Sequence, residues 1–125
     1  MRKLLLCCLL AAGLNPGSSH ADSLRKLTGP QIGVKLAGME FSDDVHWREV
    51  YERGGRLRSY DMGRARIGKW RSMANQLCVD AENTGVDECY DVWLAGEKLE
   101  LRRDGSQPIA GILRRPTDPV AAPKK

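Results

Sequence analysis

The chain has 125 residues, 42% of them hydrophobic and 29% charged, with 20 Lys and Arg against 16 Asp and Glu for a formal charge of +4. That length holds one domain with a single core, not two. The excess of base is smaller than it looks, because Arg2 and Lys3 belong to a removable leader, so 18 basic against 16 acidic residues leave +2 and no nucleic-acid partner is expected.

The leader is read from its order of residues. Met1-Arg2-Lys3 supplies a positive start, Leu4 to Leu14 an apolar run of eleven residues, and Asn15-Pro16-Gly17-Ser18-Ser19 a helix-breaking stretch before Ala21. Small residues at Ser19 and Ala21 fit a signal peptidase, so cleavage near Ala21 is expected and residues 1–21 are set aside as a signal peptide. A lipid anchor on Cys7 or Cys8 is the rival, but the residues before them are leucines, not small ones. No second apolar stretch approaches the roughly twenty residues of a transmembrane segment, so the expected location is periplasmic or secreted.

In the remaining chain, Thr28-Gly29-Pro30-Gln31 reads as a helix start, with Thr28 as cap, Pro30 where its missing donor is harmless and Gln31 completing a capping box. Leu27 and Ile32 have the spacing of a hydrophobic staple, Ile32 and Leu36 share a face, and Gly38 closes the helix after two to three turns. From Met39 the pattern changes to short runs of branched and aromatic residues between glycine or polar turns. Val45, Trp47 and Tyr51 share one parity before Gly54-Gly55. Leu57 to Met62, Ile67 to Arg71 and Leu77 to Val79 follow, then Cys89 to Leu94, Leu99 to Arg103 and Ile109 to Leu113, with turns at Ala95-Gly96 and Asp104-Gly105. The expected fold is mainly β: an antiparallel meander, or a small lipocalin-like barrel, of about seven strands with one short N-terminal helix. Residues 22–114 form the single domain, and residues 115–125, with three prolines and a terminal Lys124-Lys125, form a disordered tail.

Cys78 and Cys89, with ten residues between them, fall on strands expected to be consecutive and antiparallel, so a disulfide across the hairpin is the natural product. A redox pair would need tighter spacing, and zinc would need two more Cys or His ligands, so no metal and no cofactor is expected. His46 follows Asp43 and Asp44 and is the only histidine after the leader. It offers a proton shuttle for a hydrolase, against the plainer reading of a strand-edge histidine beside an Asp turn. Arg56, Arg58, Arg64, Arg66, Lys69 and Arg71 fall within sixteen residues that contain one acid, Asp61, and pair two apart on their strands. They form a candidate anion-binding surface, whose partner in an envelope would be a polyanion or an acidic protein, against the plainer reading of a solvated face balancing the acidic segments. Trp47, Trp70 and Trp93 lie on three expected strands, as core residues or as the lining of an apolar pocket.

Taken together, Leu27-Thr28-Gly29-Pro30-Gln31-Ile32, Gly68-Lys69-Trp70, Leu77-Cys78-Val79 and Cys89-Tyr90-Asp91-Val92-Trp93 resemble a family of small exported proteobacterial proteins of unknown function. The family pattern is a Thr-Gly-x-x-Ile helix, a Gly-x-Trp strand and two cysteines on neighbouring strands. The resemblance spans roughly Leu27 to Arg103; its motifs are structural, and it implies an exported β fold but no catalytic residue. The functional expectation is a small secreted, non-enzymatic binding or inhibitory module of the cell envelope, with a carrier of a small apolar ligand as the alternative and a hydrolase behind it.

Overall fold

Thr28 begins the helix as its sequence requires. Its hydroxyl accepts the Gln31 N–H and the Gln31 side chain accepts the Thr28 N–H, closing a capping box ahead of α1 (Gly29–Leu36). Ile32 and Leu36 are fully buried on one face, and Gly38, at a φ of 78°, turns the chain out of the helix. The structure is a computed structural model that describes residues 23–116 and Gly13. Apart from Gly13, the expected signal peptide lies outside the described residues, as does the expected tail beyond Pro116. No described helix is long and apolar enough to cross a membrane.

The described residues form nine strands, in chain order β1 (Arg25–Lys26), β2 (Met39–Ser42), β3 (Trp47–Tyr51), β4 (Arg56–Asp61), β5 (Arg64–Met73), β6 (Gln76–Asp80), β7 (Glu88–Ala95), β8 (Lys98–Arg102) and β9 (Ile109–Arg114). From β2 to β9 each strand pairs antiparallel with the next, and β9 returns to pair with β2, closing an eight-stranded up-and-down barrel. β6 is too short to cover all of β7, and β1 takes the same lane further along, pairing with Trp93 and Leu94. Closure satisfies every strand edge that an open meander would expose.

Two more strands are present than the sequence suggested. β1 has two exposed residues and no apolar alternation to announce it. β2 precedes the first expected run, and that run begins only at Trp47, as β3, because Asp43 Oδ1 accepts the N–H groups of Val45, His46 and Trp47 and folds the chain into a turn. Val45 is exposed in that turn rather than part of a strand.

Register decides which side chains fill the barrel. Phe41 pairs with Glu49 and Leu113, Tyr51 with Leu57, and Trp70 with Val79, so these residues point inward, while Arg58, Cys78 and Asp91 carry the opposite parity. Gly111 faces Phe41, and a Cβ there would lie 2.8 Å from the Phe41 ring and 2.5 Å from the Ser42 carbonyl. α1 packs against β2, β5 and β6 and closes one end. Its first turn is tied down by Gly29 N–H donating to Asn75 Oδ1 and by the Ser72 hydroxyl donating to the Gly29 carbonyl. The other end, ringed by the β2–β3, β4–β5, β6–β7 and β8–β9 connections, is left as the mouth.

Candidate functional site

The mouth contains a cleft of about 410 Å³. Val79, Leu101 and Ile109 supply apolar wall, and Glu49, Arg66 and Tyr90 supply polar groups. The connection between β6 and β7 forms its rim through Glu82, Thr84 and Val86. A mixed lining of this kind, open at one end of a closed barrel, is the usual place for a small ligand.

Three devices hold that rim. Asp80 accepts the Thr84 N–H at 2.9 Å and the Gly85 N–H at 2.8 Å, and donation from Thr84 above all keeps its carboxyl below the usual carboxylate range. Gly68 lets the chain at Asp80 and Ala81 lie directly on β5. The Cys78–Cys89 disulfide joins residues directly opposite in the β6–β7 ladder, with Cα atoms 4.0 Å apart, on the outer face of the barrel. The staple expected from the sequence is therefore present and closes the base of this connection.

Glu49 points into the cleft from β3. The Tyr51 hydroxyl, fully buried beneath it, donates to Glu49 Oε2 at 2.5 Å. Burial pushes the Glu49 carboxyl up, against the pull of the Tyr51 bond, and burial together with the Glu49 charge pushes the Tyr51 phenol up as well. Ser59 on β4 stands opposite Glu49 in the ladder, and Arg66 on β5, Glu82 on the rim, and Glu88 and Tyr90 on β7 share the cleft with it. Each of the other lining acids has a partner: Arg66 reaches Glu82 at 2.9 Å, Arg103 stands 3.5 Å from Glu88, and Asp80 holds the rim. Sequence reasoning passed over Glu49. The signal was its parity, a lone carboxyl between Trp47 and Tyr51 on the apolar face of β3.

A carboxyl whose proton affinity rises on folding favours the native state only while protonated. Between the unfolded value, about 4.3, and the higher folded one, the native state binds more protons, so this group makes stability fall as pH rises. Glu49→Gln removes that slope. Its melting temperature relative to wild type is expected to climb from pH 4 to pH 8, by about 1.4 kcal/mol of stability for every tenfold difference in proton affinity. Thermal melts across that range check it, and a constant difference between the two proteins would contradict it.

The six cations expected to share one surface divide between two. Arg56, Arg58, Lys69 and Arg71 lie on the outer wall, where Arg56 pairs with Lys69 in register, while Arg64 and Arg66 carry the inner parity and Arg66 lines the mouth cleft. Arg56 and Arg58 both engage Glu52, at 2.5 Å each, and Arg71 engages Asp87 at 2.5 Å. Donation from Arg56 holds the Glu52 carboxyl below its usual range. Lys69 stands opposite Asp80 in the β5–β6 ladder.

The tryptophans also separate. Trp70 is core, edge-on to Tyr51 at 5.5 Å with its indole N–H donating to the Glu52 carbonyl. Trp47 is half-buried against Phe41 and lines a second hollow of about 260 Å³ with His46, Arg48 and Tyr60. Trp93 lies on the outer face of β7, beneath the Arg102 guanidinium at 4.4 Å. None of the three lines the mouth cleft.

His46 Nδ1 sits 2.9 Å from Asp43 Oδ2, so the turn supplies a carboxylate partner that the sequence alone did not place. The same carboxyl is bound to three backbone N–H groups. Burial by itself would raise its pKa, but those bonds and the imidazole outweigh it and leave Asp43 far below the usual range, as a builder of the turn. Among the described residues no group of His, Cys, Asp and Glu is arranged to hold a metal ion.

Comparison of the chain with models of protein families, with curated proteins and with solved structures returned no match.

Proposed function

We propose that this chain is a small exported, non-enzymatic binding module of the cell envelope that takes a small ligand into the mouth of its barrel. The observation that carries this reading is the cleft of about 410 Å³ at the end of the barrel opposite α1, where apolar and hydrogen-bonding side chains converge. The disulfide fits an oxidising compartment, and the leader read from residues 1–21 fits export. A polyanion on the outer wall is the less favoured form of the same binding role, because Arg56, Arg58 and Arg71 are already matched to Glu52 and Asp87.

Calorimetric titration with eight-carbon amphiphiles carrying cationic, neutral or anionic heads tests the mouth. At least one is expected to bind saturably, one per chain, with Kd below about 1 mM. Ile109 stands at the lip of the cleft, so Ile109→Arg should abolish that binding while the melting temperature stays within a few degrees. Binding that survives Ile109→Arg, or no binding by any of the three, would exclude the mouth as the site.

A further inference from the structure

The charges lining the mouth are unequal: Glu49, Asp80, Glu82 and Glu88 against Arg66 alone. Three of the four carboxyls are matched, by Arg66, by Arg103 and by the rim backbone. Glu49 is different. Among the described residues its side chain makes one hydrogen bond, from the neutral Tyr51 hydroxyl, and no cation stands against it. A second unused polar group lies beside it, because Ser59, its partner in the β3–β4 ladder, has a buried Oγ with no hydrogen bond. A buried acid without a counter-ion is costly to keep, and the cost falls when a cation is brought to it.

Resting on the reading of the mouth as a ligand site, we propose that its ligand is an organic cation, a protonated amine on an apolar body, with Glu49 as the counter-ion at the floor of the cleft. The ammonium donates to the free side of the Glu49 carboxylate, and its hydrocarbon lies against Val79, Leu101 and Ile109. Arg66, turned toward Glu82, leaves the floor to Glu49. This assigns the mouth the opposite preference to the one the run of arginines suggested.

Octylammonium, octanol and octanoate, titrated at pH 7.5 into the full chain with its disulfide intact, share one body and differ only in the head. Octylammonium is expected to bind at least about tenfold more tightly than octanol, with octanoate weakest. In Glu49→Gln that preference should disappear, the ratio of octylammonium to octanol affinity falling to about one, whereas Glu49→Asp should keep it in reduced form. Equal or tighter binding of octanol or octanoate by the wild-type chain overturns the cationic assignment and leaves the mouth as a site. An ammonium preference that persists in a folded Glu49→Gln overturns it as well. No binding by any of the three removes the site and the assignment together.

Discussion

Gly68→Ala is expected to destabilise the domain by about 3 kcal/mol or more, lowering the melting temperature by roughly 12 °C or more. A Cβ at this position would lie 2.2 Å from the Asp80 carbonyl oxygen and 2.7 Å from the carbonyl carbon and oxygen of Ala81. These are backbone atoms, and they cannot rotate aside. Moving them means moving the end of β6 and the rim anchored by Asp80. The damage therefore falls on the mouth as well as the core, and ligand binding should weaken at temperatures where the variant is still folded. Gly33→Ala is the contrast: nothing lies within 4 Å of a Cβ there, the residue is inside α1, and alanine should raise stability by about 0.4–1 kcal/mol. Thermal melts of the two variants beside wild type decide the matter. A Gly68→Ala protein as stable as wild type would mean that the chain at Asp80 and Ala81 does not lie on β5 as described.

The clash at Gly68 was not legible in the sequence, where Gly68 reads only as part of a Gly-Lys-Trp run. What was legible is local. The capping box at Thr28 and Gln31, the Gly38 exit, the glycine turns and the opposed cysteines each depend on residues within a dozen positions of one another. Closure of the barrel depends instead on Phe41 finding Leu113, from opposite ends of the domain, and no alternation within either strand encodes that meeting. β2 hid for a different reason: Met39-Glu40-Phe41-Ser42 does alternate apolar and polar residues, but four residues are too few for that period to stand out, and the first expected run begins at Val45.

The candidate site was less legible than the fold. The density of Arg and Lys between 56 and 71 drew attention to the outer wall, but linear density says nothing about which face a side chain takes once a two-residue turn separates the strands. The turn at Met62 and Gly63 sends Arg64 and Arg66 to the inner parity while Arg56 and Arg58 stay outside. Trp93 was misjudged in the same way: in β7 the inward set is Tyr90, Val92 and Leu94, leaving Cys89, Asp91 and Trp93 outside. Once the cysteines are placed on the outer wall, Trp93 must follow, because it lies four residues from Cys89 on an unbroken strand. Glu49 obeys the same rule in reverse, being inside because Tyr51 is.

That rule also sets what the disulfide does. Cys78 and Cys89 lie on the outer face, so the bond touches neither the barrel interior nor the lining of the mouth cleft, and its effect is on the chain between them. Closing a loop of about a dozen residues should contribute roughly 3 kcal/mol by lowering the entropy of the unfolded chain, so a Cys78→Ala, Cys89→Ala double variant is expected to melt roughly 15 °C lower. In the folded state the rim still has Asp80 and Gly68, and the β6–β7 ladder still pairs Leu77 with Tyr90 and Val79 with Glu88. The binding of octylammonium should therefore change by less than about threefold at 15 °C, where the variant remains folded. Melting and titration separate the two roles. A large loss of affinity with an unchanged melting temperature would make the bond part of the site rather than a staple, because only a rim that rearranges within the native state produces that combination.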